Sequence, residues 1–161
     1  MSQLLFEPDL AMDTVGHQCL LEHQILNHVM AALRLSLQWK VTAVGYAKKL
    51  STVRFTAQSF QRHLERLLNL EEGGGYMSLV RERQPALYHQ VLSLRQEHDE
   101  FRAALAGILA ELDQLPADNG ACLDDLCGQL DQLLVKLEQH HHREIDLMQE
   151  ALTVDVGGEG G

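Results

Sequence analysis

The sequence predicts an all-α fold, an antiparallel up-down-up-down four-helix bundle. Three observations predict it. Apolar residues recur at alternating spacings of three and four through four separate stretches, the pattern of helices that each bury one seam in a bundle. The composition agrees, with 45% apolar residues, 5% aromatic and three prolines in 161 positions. No stretch carries the strict alternation of a strand. A chain of this length suits one domain with a sizeable core.

Residues 1–12 read as an irregular lead-in. The first helix starts near Asp13, a good N-cap residue, and runs to about Trp39. Its seam is Cys19, His23, Leu26, Met30, Leu33 and Leu37. The stretch WKVTAVGYAKKLS is ambiguous, with Gly45 as a break point. A second helix carries Val53, Ala57, Phe60, Leu64, Leu67 and Glu71, and stops at Gly73-Gly74-Gly75, which disfavour continuation. A short amphipathic turn, YMSLVRERQ, follows.

Pro85 fits the first turn of the third helix, which extends to about Leu115. Its seam is Leu87, Val91, Leu94, His98, Phe101, Leu105, Ile108 and Leu112. Residues Pro116 to Gly120 (PADNG) form a turn-rich connector. The fourth helix runs from about Ala121 to Leu152 on Leu123, Leu126, Leu130, Leu133, Leu137, His140, Glu144, Leu147 and Ala151. The bundle therefore spans 13–155, and 156–161, ending in GGEGG, reads as a disordered tail.

Thirteen basic against 23 acidic residues give a net charge of −10, which argues against a nucleic-acid surface. No stretch approaches the roughly 20 apolar residues of a membrane span. The start, MSQLLFEPDLAMD, lacks the basic residues and apolar run of a signal peptide, so the expected compartment is cytoplasmic. Cys19, Cys122 and Cys127 are odd in number and lack zinc-like spacing, which argues against a disulfide framework.

Each apolar seam is broken by His or Glu. An imidazole or carboxylate placed there loses its water and needs a partner. Short connections make successive helices antiparallel, so depth along the bundle can be compared. His23 lies about 15 Å from the start of its helix, His98 about 20 Å from the start of its own, and Glu144 about 12 Å from the end of the last helix. Glu71 is near the end of the second helix. All fall in the same half of the bundle. His140 and Glu144 are one turn apart on one face. Three imidazoles and two carboxylates suit iron, manganese or zinc, and carboxylates can bridge two ions. Any one of these histidines alone reads as a satisfied core residue; their common depth favours a metal site. Of His140, His141 and His142, only His140 is on the seam, while His141 has a possible partner in Asp146.

These residues resemble the hemerythrin-like, or HHE cation-binding, family of four-helix bundles. The matching pieces are LLEHQIL around His23, LEEGGGYM at Glu71, LRQEHDEFR around His98 and HHHREIDLMQEAL at His140 and Glu144. The resemblance covers roughly residues 13–155. It implies a non-haem di-iron centre that binds oxygen or senses oxygen, nitric oxide or iron. It also implies His23, Glu71, His98, His140 and Glu144 as ligands. The family pattern has a further His four residues before Glu71, where this chain has Leu67. His63 is the possible substitute, although about 12 Å from Glu71 along the axis. Two irons with one open position, a single metal, or none are the outcomes left open.

The leading expectation is a non-haem iron-binding module for oxygen, redox or nitric oxide sensing or binding, taking a small diatomic ligand such as O2 or NO, with no nucleic-acid or membrane partner and no need of catalysis. The alternative is a metal-free bundle acting as a protein-interaction or regulatory module, its protein partner unknown. A phosphotransfer bundle using His63 beside Arg62 and Arg66 ranks below both. A ferritin-like oxidase is less apt, because its Glu-x-x-His spacing is missing from these seams.

Overall fold

The heptad-like seams become helices in the computed structural model, which describes residues 8–156. The helices are α1 (Pro8–Gln38), α2 (Tyr46–Gly73), α3 (Tyr76–Arg83), α4 (Tyr88–Gln114) and α5 (Gly120–Val156). Short 3-10 turns at Ala43–Gly45 and Pro85–Leu87 precede α2 and α4. No strand occurs among the described residues. Four helices are long, and α3 is a two-turn piece between α2 and α4.

The boundaries differ from expectation in instructive places. Helix α1 begins at Pro8, ahead of Asp13; a proline's fixed φ and missing N–H suit a first-turn position. The segment expected as an amphipathic turn is helical as α3 and buries Met77 and Val80. Pro85 opens a 3-10 turn, and regular α4 starts only at Tyr88. Residues 1–7 of the expected lead-in and 157–161 of the expected tail lie outside the described residues.

Helix ends leave carbonyls without intrahelical partners. Two cations of α2 serve that need. Lys49, buried despite its charge, donates from Nζ to the Leu37 carbonyl at 3.1 Å, in the last turn of α1. Arg54 donates to the carbonyls of Leu112 at 2.6 Å and Leu115 at 2.9 Å, where α4 ends. Positive charge is also favourable at those negative helix ends. The N-terminal part of α2 thus ties down one end of each of its long neighbours.

Cross-helix pairs run in opposite numerical order. Between α1 and α2, Ser36 meets Thr56 and His23 meets Glu71. Between α2 and α4, Arg54 meets Leu112, Glu65 meets Arg102 and Glu72 meets His98. Helix α5 packs against α1 and α4.

The apolar interior falls into two clusters. The larger runs from Leu26, Leu33, Phe60 and Leu67 to Leu112, Leu130 and Leu137. The smaller gathers Met77, Val80, Leu87, Val91, Leu94 and Leu147 near α3. Along α4 and α5, the residues separating the clusters are His98, His140 and Glu144.

Candidate metal centre

Each polar residue between the clusters is set one helical turn from an apolar anchor. Leu26 follows His23, Leu67 precedes Glu71, Leu94 precedes His98 and Leu137 precedes His140, all four anchors buried. Side chains three or four apart share a face. Packing the leucines inward therefore delivers the polar groups inward too. Glu71, His98, His140 and Glu144 are all buried, and one ligand atom from each lies within 4.8 Å of the others.

The two fully buried imidazoles face each other. His98 Nε2 and His140 Nε2 are 3.0 Å apart. Glu144 Oε1 lies 3.0 Å from His140 Nε2 and 3.3 Å from His98 Nε2, and Glu71 Oε2 is 3.4 Å from His98 Nε2. On the far side of each ring a carboxylate takes the other nitrogen. Glu72 Oε1 is 2.8 Å from His98 Nδ1, and Glu97 Oε2 is 2.8 Å from His140 Nδ1.

Those outer carboxylates are anchored in turn. Arg102 donates to Glu72 at 2.9 Å, and Arg143 to Glu97 at 2.7 Å. Partial burial works against ionisation of both. The hydrogen bonds from Arg102 and His98 nevertheless hold Glu72 below the usual carboxylate range, and those from Arg143 and His140 do so for Glu97. An ionised carboxylate only accepts, so each Nδ1 carries a proton and each Nε2 is the nitrogen able to face a cation. Without one, burial opposes a second proton on His140, but hydrogen bonds to Glu144 and Glu97 outweigh it and raise that imidazole above its ordinary value. This is the way metal-binding histidines are commonly oriented.

The centre therefore collects lone pairs. Two imidazole nitrogens and the oxygens of two glutamates converge on one point, an arrangement that needs positive charge there. Neither oxygen of Glu71 receives a hydrogen bond of good geometry, although both are buried. Burial, followed by the charge of Glu144, pushes the Glu71 carboxyl up to about 11. Burial also pushes Glu144 upward, but hydrogen bonds with His140 and His98 outweigh it and leave Glu144 below the usual range. Tyr76 of α3 also donates to Glu144 Oε1, at 2.7 Å. The donor set and the orphaned Glu71 oxygens fit a cation.

His23 approaches from α1, its Nε2 3.1 Å from Glu71 Oε1, and it remains a third exposed. On this side a cavity of about 390 Å³ reaches Glu71 and Glu144, lined by Gly16, Cys19, Leu20, Tyr76, Leu79 and Met148. Gly75 makes the return of the chain over Glu71 possible. A Cβ there would stand 2.9 Å from Glu71 Cα and 2.8 Å from the Leu70 carbonyl oxygen. Tyr76 is thereby brought onto Glu144.

Of the sequence-derived residues, Glu71, His98, His140 and Glu144 form one group, with His23 against Glu71. His63 is elsewhere, its Nδ1 3.4 Å from Glu22 Oε2. Leu67 is fully buried in the larger apolar cluster. His142 is exposed, as are His17, His28 and His89. The outer carboxylates Glu72 and Glu97 and the hydroxyl of Tyr76 were missed by sequence reasoning, which followed the seams alone.

Residues 14–152 match the family model of the hemerythrin HHE cation-binding domain. No curated protein and no solved structure matches.

Proposed function

The chain belongs to the hemerythrin HHE cation-binding domain family, and from that membership we propose that it binds non-haem iron, as a pair of ions, to sense or hold a small diatomic ligand such as O2 or NO. The observation that carries the reading is the 3.0 Å approach of two imidazole nitrogens whose opposite nitrogens are both committed to carboxylates. Nitrogens so close need a positive charge between them, a proton or a metal ion. In this reading His23, Glu71, His98, His140 and Glu144 would hold the ions, the two glutamates supplying the negative charge that offsets them.

When bound, ferrous iron supplies the electron and the free coordination position that a diatomic ligand needs. The chain's own groups do the rest. Glu72 and Glu97 hold the rings of His98 and His140 in one tautomer. Tyr76 holds a proton at Glu144 Oε1. The cavity beside His23 is lined largely by apolar groups and is ample for a diatomic molecule.

The opposite-running residue pairs support an up-down-up-down arrangement of the long helices, with residues 13–155 as its extent. No helix among the described residues is long and apolar enough to cross a membrane. Three unpaired cysteines suit a reducing, cytoplasmic setting.

The test is anaerobic reconstitution with ferrous iron, followed by elemental analysis and the absorption spectrum on exposure to air. Stoichiometric iron and a charge-transfer band are expected. A protein that retains no iron, and whose melting is indifferent to chelators, overturns the proposal and leaves the metal-free interaction bundle.

A further inference from the structure

The five-ligand set is uneven. His98 and His140 serve one side of the Glu71–Glu144 pair, whereas the α1 side has only His23, because Leu67 puts an apolar side chain where a nitrogen is wanted. One group near that side is unexplained. His141 Nε2 is buried and has no hydrogen-bond partner. Leaving such a nitrogen unmet is costly, and a leucine at this position would avoid the cost.

The placement of His141 is specific. Its ring lies 4.9 Å from the ring of His23, edge to face, and 6.0 Å from that of His140. Asp146, the partner that spacing suggested for His141, is exposed and lines a separate recess with His89 and Arg143. Glu144 follows His141 by three residues on α5, so the two side chains can share a face of the helix.

We propose that His141 is a metal ligand, and that with His23, Glu71 and Glu144 it forms a second cation position on the α1 side, supplying from α5 the nitrogen that Leu67 withholds from α2. Consecutive histidines then serve two different ions: His140 turns toward α4, and His141, about 100° further round the helix, turns toward α1. The ring positions agree, since the ring of His140 lies beside that of His98 and the ring of His141 beside that of His23. This inference rests on the cation-binding reading of the same site.

The experiment is an iron count on the full-length chain after anaerobic loading with ferrous iron and removal of excess, with Mössbauer spectra of the loaded samples. Two ions in inequivalent environments are expected in the parent protein. His141→Leu fills the space with apolar atoms, and it should retain one ion and one quadrupole doublet. His141→Gly should also hold one, and excess imidazole should restore the second, which a structural role for His141 alone does not predict. Two ions in every variant, or one ion in the parent that survives H141L unchanged, overturns the inference while leaving the cation reading intact. No iron in the parent overturns both. Circular dichroism of the apo variants identifies any that fail to fold, and imidazole rescue in H141G then decides.

Discussion

Replacing Glu97 by Gln changes the charge behind one histidine while preserving its shape. Glu97 Oε2 accepts from His140 Nδ1 at 2.8 Å, and Arg143 holds the carboxylate in place. An amide oxygen can still accept that proton, so the ring stays oriented. What is lost is the charge assistance, the difference between roughly 1.5–3 kcal/mol for a hydrogen bond to a charged group and about 0.5–1.5 for a neutral one. Arg143 is more than half exposed, so losing its ion pair adds little. A net loss of about 1.4 kcal/mol is about tenfold in affinity, at the weaker end of the ~10–100-fold seen for such outer carboxylates. The assay is anaerobic titration calorimetry with ferrous iron, beside a denaturation curve of the apo protein. Binding within about twofold of the parent, a difference near 0.4 kcal/mol, refutes the role given to Glu97.

Other outcomes follow from the same geometry. Glu71, raised from 4.5 to about 11, holds a proton at neutral pH in the cation-free protein. Its contribution to apo stability is full below 4.5 and is lost as pH rises toward 11. Cation uptake at neutral pH should therefore release a proton, seen as a dependence of the calorimetric heat on buffer ionisation enthalpy; no such dependence contradicts the assignment. Phe60→Ala, at a fully buried position in the larger cluster, should cost about 3–5 kcal/mol in denaturant unfolding. Gly75→Ala should cost about 1–3 kcal/mol, because the new Cβ forces the chain away from Glu71. It should also change the fluorescence of Tyr76 by parting it from Glu144.

The long helices were readable because burial of a seam imposes its own period on the sequence. Glu71, His98, His140 and Glu144 were readable for the same reason, as polar residues occupying seam positions. The groups that were not readable sit one residue off those seams. Glu72 follows Glu71, Glu97 precedes His98 and His141 follows His140, so each points about 100° away from the stripe that was followed. Their partners are set by how neighbouring helices are rotated, which no single helix's pattern contains. A local signal did exist: arginines one turn beyond, Arg102 after His98 and Arg143 after His140, are placed to anchor carboxylates behind a buried ring. Helix α3 escaped for a different reason. Eight residues carry too few turns for a period to be recognised, and its buried pair, Met77 and Val80, gains meaning only from the second apolar cluster.

That second cluster has a consequence for how the molecule opens. Met77, Val80, Leu87, Val91, Leu94 and Leu147 form their own small interior, divided from the main one by a layer of ionisable groups. Cooperative unfolding units tend to break where apolar contact is thinnest. The α3 end of the bundle thus meets the main interior, side chain to side chain, through ionisable groups. A cation held by that layer would tie residues of α2, α4 and α5 to one another at the boundary of the two interiors. Amide exchange in α3 and the last turns of α5 should slow on metal binding far more than exchange around Phe60. Occupancy of a buried centre then becomes legible at the surface as local order.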